Sequence, residues 1–221
     1  MLIRSGDAPA ISWSRNMLYS GFSILHRSVV RWQTGFAARI TRTLSTLDVL
    51  IVPPKQFEMK FADAGWTGEP RGFGVPAGDD HIGWDVLNSF DGLHVHPDSS
   101  DGIECATNDI QFQRVSPLCE RAEKWQSLLR TRFVGVAFSH KQYCVLWIAA
   151  DGCVFTSNDI TDVFGFVGAD ISVAIQNELT GIRSRPLMAD DETVLNYYGD
   201  DYNRGDHRLF DWQSHLAKIG G

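Results

Sequence analysis

No apolar stretch in this 221-residue chain is long enough to cross a membrane as a helix. The longest runs, Val145–Ala150 and Val163–Val167, fall far short of the ~20 residues that a spanning segment needs. Cysteine is scarce. Cys105, Cys119, Cys144 and Cys153 show no C-x-x-C or Cys/His zinc spacing, which argues against a disulfide scaffold and for a reducing, cytoplasmic setting. At apolar positions in strands and a helix, such thiols act as small hydrophobes rather than nucleophiles. G-x-S-x-G, H-E-x-x-H and P-loop motifs are missing, and so is any internal repeat. Gly72-x-Gly74-x-x-x-Gly78 misses the dinucleotide fingerprint by one residue and contains Pro76, so those glycines read as turn residues.

Acidic residues are missing from one place only. None lies between Asp7 and Asp48, and residues 1–47 carry six arginines against Asp7, a charge of +5. The whole chain is at −7, which leaves −12 on the remainder. So acidic a body repels nucleic acid and suits a basic protein partner, whose encounter it would accelerate. The basic arm, residues 1–52, fits three origins: a targeting segment, a disordered or amphipathic arm, or upstream sequence read from a wrong start, with Met59 as a later one.

Pro53–Pro54 marks the boundary of a domain over residues 53–185. Within it the pattern predicts a helix from Gln56 to Ala64 stopped by Gly65. A loop follows over Thr67–Gly78, then a helix capped by Asp80 with Ile82, Val86, Leu87 and Phe90 inward. A short strand over Leu93–His96 and another over Ile110–Phe112 come next. Ser116–Pro117 predicts a helix start, with Leu118, Ala122, Trp125 and Leu129 inward and a Glu120–Lys124 pair. Strands follow at Phe133–Phe138 and Gln142–Ala150. Asp151–Gly152 predicts a two-residue type I′ turn into Cys153–Ser157, with a further strand at Val163–Val167. Asp170 caps a last helix with Ile171, Ala174, Ile175 and Leu179 inward and Gly181 at its end. Trp66, Trp84, Trp125 and Trp147 are expected in the core. Residues 186–221 form an acidic extension with a helix over Asp206–Lys218. The mixed order without strand–helix alternation predicts an α+β fold: a single mixed domain whose central, mostly antiparallel sheet is flanked by helices.

Five of these segments, in order, carry a resemblance. Ala64-Gly65-Trp66 with Gly68 and Arg71, Leu87–Leu93, and Glu120–Trp125 leading to Val134-Gly135 are the first three. Leu146–Phe155 and Val167-Gly168 with Leu179-Thr180-Gly181 complete the set. Together they resemble the third family of the SUKH superfamily across residues 59–181, with Asp91 standing where that family has glycine. The resemblance implies an immunity protein that neutralises a bacterial polymorphic toxin, in some cases a nuclease, by binding it. It equally implies an interaction adaptor without a toxin. It brings no catalytic residue and no cofactor, so a binding protein is expected rather than an enzyme, with a basic cognate toxin as partner and neither nucleic acid nor membrane. The loop carboxylates Asp79, Asp80, Asp98, Asp101, Glu104, Asp109, Asp159 and Asp162 are the candidate toxin-binding residues. A competing candidate is a metal-dependent enzyme with its metal site on His94, His96 and Asp98, because alternation in a strand places both imidazoles on one side.

Overall fold

The computed structural model describes residues 49–219. The basic arm up to Asp48 lies outside them. Seven strands form one sheet in sequence order: β1 (His94–Val95), β2 (Ile110–Val115), β3 (Phe133–Ser139), β4 (Cys144–Ala149), β5 (Val154–Asn158), β6 (Val163–Gly168) and β7 (Arg185–Pro186). Every neighbouring pair is antiparallel. The α+β expectation, a mostly antiparallel sheet with flanking helices, describes this architecture.

Both faces of the sheet are covered. On one face α1 (Glu58–Asp63), α2 (Ile82–Phe90) and α4 (Ile171–Thr180) pack Phe61, Leu87, Phe90 and Ile175 against Phe112, Val136, Leu146 and Ile148. On the other, α3 (Glu120–Leu128) and α5 (Trp212–Ile219) pack Trp125 and Trp212 against Val145, Trp147, Phe155 and Phe164. Side chains alternate across a strand, so β4 sends Leu146 and Ile148 to one core and Val145 and Trp147 to the other. That is why its sequence reads as an unbroken apolar run instead of an alternating one. Ile51 already belongs to the first core, and its N–H donates to Ser89 Oγ at 2.8 Å.

Several local expectations shift. The helix expected from Gln56 splits into a 3₁₀ turn, Lys55–Phe57, and α1. The cap of α2 is His81, one residue past Asp80. Its Nδ1 accepts from Gly83 N–H at 3.0 Å while its Nε2 faces the Arg132 carbonyl at 2.9 Å. Burial lowers the His81 pKa, which keeps the ring neutral and Nδ1 free to accept. The third helix starts at Glu120, not at Ser116–Pro117, because β2 extends to Val115 and the chain needs the next residues to leave the sheet. Lys124 does not pair with Glu120; its Nζ lies 3.6 Å from Asp191. The hairpin at Asp151–Gly152 has a left-handed φ at Gly152 (+92°) but not at Asp151, which rules out type I′. Asp151 Oδ1 instead takes the Cys153 N–H at 3.0 Å, making a three-residue loop. Asp170 does cap α4, with Oδ1 accepting from Val173 N–H at 2.8 Å, and Gly181 ends it in the left-handed region.

The C-terminal segment is packed, not appended. Its second hairpin, β8 (Val194–Tyr197) and β9 (Asp200–Asn203), was not anticipated. There φ is positive at both central residues, Tyr198 and Gly199, the signature of a type I′ turn. Tyr197 and Tyr202 bury it against Val163 and Met188. The last helix begins at Trp212 and not at Asp206, whose carboxylate turns back to Arg208 at 2.7 Å. Trp212 donates to the Met188 carbonyl at 2.9 Å and meets Trp125 edge to face at 5.7 Å.

Trp212→Ala is expected to cost about 3–5 kcal/mol, the range for truncating a buried aromatic. In urea unfolding followed by far-UV dichroism, an unchanged midpoint would mean that α5 lies outside the cooperative unit. Gly135→Ala is expected to cost about 1–3 kcal/mol by overpacking. A Cβ there would sit 2.7 Å from Trp147 Cζ3 and 2.8 Å from Val115 Cβ.

Candidate functional site

One end of the sheet gathers polar chemistry below the surface and apolar side chains above it. Strand register locates it. Ser139 pairs with both Ile110 and Cys144, and Asn158 pairs with Cys144 and Val163. The β1–β2 loop, the β3–β4 turn and the β5–β6 turn therefore meet at this end.

Beneath the loops, Glu178 of α4 is buried, its side chain only 3% exposed, and His140 Nε2 lies 3.1 Å from its Oε2. The other ring nitrogen, Nδ1, faces the Thr107 carbonyl at 2.7 Å. Nδ1 thus meets an acceptor, while the Nε2–Glu178 contact has ion-pair distance without hydrogen-bond alignment, and the two together favour an imidazolium. Burial pushes the His140 pKa down, but the Glu178 carboxylate, the Thr107 carbonyl and Asp109 together outweigh it and hold it above the ordinary 6.5. Asp109 takes the Lys141 N–H at 2.9 Å and contacts His94 Nε2 at 3.1 Å. Holding these groups requires three consecutive left-handed residues, His140, Lys141 and Gln142. That conformation is costly for non-glycine residues and persists only where the surroundings enforce it.

Above this layer, four apolar side chains stand out on loop tips: Ile103 (73% exposed), Tyr143 (54%), Ile160 (68%) and Tyr198 (38%). Each tip is fixed by hydrogen bonds. The N–H groups of Ile103, Glu104 and Cys105 donate to the final carbonyls of α4, at Thr180 and Gly181, at 2.8–3.0 Å. Gly102 and Gly181 touch backbone to backbone; a Cβ on Gly181 would meet Gly102 Cα at 2.4 Å. Asn158 Oδ1 accepts from the N–H groups of Ile160 and Thr161 at 2.8 and 3.1 Å, and Asp159 N–H reaches the Tyr143 carbonyl at 3.2 Å. Tyr198 Oη lies 3.8 Å from Cys105 Sγ, with the Arg183 guanidinium 4.5 Å above its ring. Burial raises the Tyr198 pKa, and Tyr197, Cys105 and Cys144 around the phenol raise it further.

Of the eight candidate carboxylates, five surround these tips. Asp98, Asp101 and Glu104 are exposed on the β1–β2 loop, and Asp159 and Asp162 are exposed on the β5–β6 turn. Glu104 accepts from Arg183 N–H at 2.8 Å, and Asp162 pairs with Arg121. Asp200, on β9, lies 3.7 Å from the same Arg183 and joins the rim. The other three depart from the expectation. Asp109 is 2% exposed, and its oxygens engage the Lys141 N–H and His94 within the scaffold. Asp79 and Asp80 lie at the opposite end of the sheet, where the Arg132 guanidinium, 2.6 Å away, holds Asp79 well below the usual carboxylate range. The eight therefore form no single face. What sequence reasoning missed is the apolar part: isolated Ile103, Tyr143 and Ile160 in polar loops give no periodic signal.

The metal arrangement on His94, His96 and Asp98 does not form. His96 adopts a positive φ (60°), which ends the strand alternation. Its ring turns to Lys60 Nζ at 3.0 Å while His94 turns to Asp109. An open groove of about 490 Å³ lies elsewhere, on the C-terminal segment, lined by Arg185, Arg204, Asp206 and Phe210 among others. Its charged groups are already engaged: Arg204 with backbone carbonyls, Asp206 with Arg208 and Arg185 with the Leu209 carbonyl. Among the described residues no helix is long and apolar enough to cross a membrane.

His140 gives the scaffold a pH dependence of definite sign. Its folded pKa is raised, so its stabilisation is fully present below 6.5 and is lost as pH rises through the raised value. His140→Gln is expected to cost about 3 kcal/mol near pH ~6, because it leaves Glu178 buried without its cation. The gap from wild type should narrow at about pH 9. Thermal unfolding of both proteins across pH checks this, and a gap that widens with pH contradicts it.

No protein-family model, curated protein or solved structure matches this chain.

Proposed function

We propose that the chain is a binding protein that neutralises a basic protein toxin by occupying it stoichiometrically, with the loop end of the sheet as its binding face. The observation that carries this reading is the set of four apolar tips, Ile103, Tyr143, Ile160 and Tyr198, held on hydrogen-bonded loops inside an acidic rim. Loops fixed in advance lose little entropy on binding, so their exposed apolar area converts efficiently into affinity. Aromatic and aliphatic anchors within a polar rim are the usual anatomy of a protein interface. The carboxylates Asp98, Asp101, Glu104, Asp159, Asp162 and Asp200 add a negative field that steers a basic partner inward.

The toxin assignment rests on the sequence resemblance to the SUKH superfamily. An α+β domain with an antiparallel sheet agrees with that reading and does not by itself select it. An adaptor that binds a different partner would use the same face, and the gene neighbourhood separates the two.

Co-expression with the basic toxin product of a neighbouring gene is expected to restore growth, and the purified pair to form a one-to-one complex. Tyr143→Ala and Ile160→Ala should each weaken that complex by about tenfold or more, mostly through faster dissociation. Asp159→Asn should slow association and flatten its salt dependence with little change in dissociation. Full affinity in the doubly substituted Tyr143→Ala, Ile160→Ala protein would sink the assignment of the face.

A further inference from the structure

The opposite end of the sheet carries a second arrangement, independent of the binding face. The β4–β5 hairpin presents Asp151 at its tip and Cys153 where the loop closes, and α5 brings His215 against them from 62 residues away. Among the described residues these three form the one set of histidine, cysteine and carboxylate donors whose ligand atoms all lie within 4.8 Å of one another. His215 Nε2 is 3.0 Å from Asp151 Oδ2. The site is held by its surroundings. Asp151 Oδ1 is occupied by the Cys153 N–H, which aims Oδ2 at the histidine. The His215 ring rests 5.6 Å from Phe210 between centroids, and Asp211 Oδ1 caps the helix by accepting from Ser214 N–H at 3.0 Å.

We propose that Asp151, Cys153 and His215 bind a zinc ion, with water as fourth ligand, and that the ion clamps the C-terminal helix to the β4–β5 hairpin. Zinc takes sulfur at about 2.3 Å and nitrogen or oxygen at about 2.0–2.2 Å in a tetrahedron. Ligand atoms then stand roughly 3.3–3.6 Å apart. The Asp151–His215 contact needs to open by only a few tenths of an ångström, and Cys153 Sγ, which lies within 4.8 Å of both other ligand atoms, has to turn toward them from the Ala169 carbonyl, 3.7 Å away. One thiolate and one carboxylate balance the double charge of the ion. Thiolate with imidazole selects zinc over magnesium or calcium, which prefer oxygen. Burial raises the pKa of the Cys153 thiol, so the metal replaces a proton there instead of meeting a free thiolate. The Asp151 and His215 side chains are both partly exposed, at 24% and 19%, which leaves the fourth position within reach of water. The competing account is a plain His–Asp pair beside a buried thiol.

Cobalt titrated into the metal-free full-length protein distinguishes the two. The zinc site predicts one equivalent bound, a near-ultraviolet thiolate-to-cobalt charge-transfer band and strong visible bands of tetrahedral cobalt, all displaced by zinc. Cys153→Ser should lose the charge-transfer band, and His215→Ala should weaken cobalt affinity at least tenfold. Zinc should raise the Tm of the wild type and leave that of His215→Ala unchanged. His215 lies on the surface helix, so its variant carries the test if Cys153→Ser fails to fold. A wild type without the charge-transfer band, or a His215→Ala protein with undiminished cobalt affinity, overturns the proposal. Neither result bears on the binding face, which lies at the other end of the sheet.

Discussion

Glu178 is a carboxylate buried to 3% exposure in a helix that otherwise presents apolar side chains to the sheet, and the loop end of the molecule is organised around neutralising it. An isolated buried charge is costly, and one that loses its partner destabilises by several kcal/mol. His140 supplies the counter-charge, but only from a turn of three left-handed residues. That turn in turn needs Asp109 to hold Lys141, and Asp109 needs the β1–β2 loop in place. The same loop closes the C-terminus of α4 through its N–H groups, with Gly102 pressed on Gly181. The buried ion pair, the strained turn and the helix end thus form one interlocked unit, and the apolar tips are its outer surface.

That coupling is what makes the exposed side chains informative. An isoleucine at 73% exposure is unremarkable when it sits on a loose loop. On a loop pinned by three hydrogen bonds to a helix terminus it is apolar surface held open to water in one geometry. The carboxylates around it divide the work by position. Those that reach solvent shape the long-range field, while Asp109 sets the structure. On the proposed reading, the apolar centre and charged rim act on different quantities, lifetime and encounter rate.

The sheet and most helices were legible because their signals are local. Asp170 and Gly181 bracket α4 by capping chemistry that needs no tertiary information, and the strand–turn–strand around Gly152 follows from alternation and a glycine. Elements whose logic is tertiary were not legible. His81 outranks Asp80 as a cap only because burial keeps its ring neutral beside the Arg132 carbonyl. The β8–β9 hairpin has a Tyr-Gly turn in an acidic segment, without the usual Asn-Gly or Asp-Gly word, and it exists because Tyr197 and Tyr202 find a pocket on the sheet edge. Asp109 looked like its neighbours in sequence, yet the turn that receives it lies over thirty residues away. His94 and His96 shared a strand face only until the positive φ at His96 broke the alternation.

The most direct test of the proposed binding face is amide hydrogen exchange of the chain alone and with the basic protein proposed as its partner. Protection gained on binding should concentrate in residues 98–105, 140–143, 158–162 and 197–200, the four loops at the Glu178 end. Protection confined instead to α3, α5 or the Asp79–Arg132 end would contradict the account.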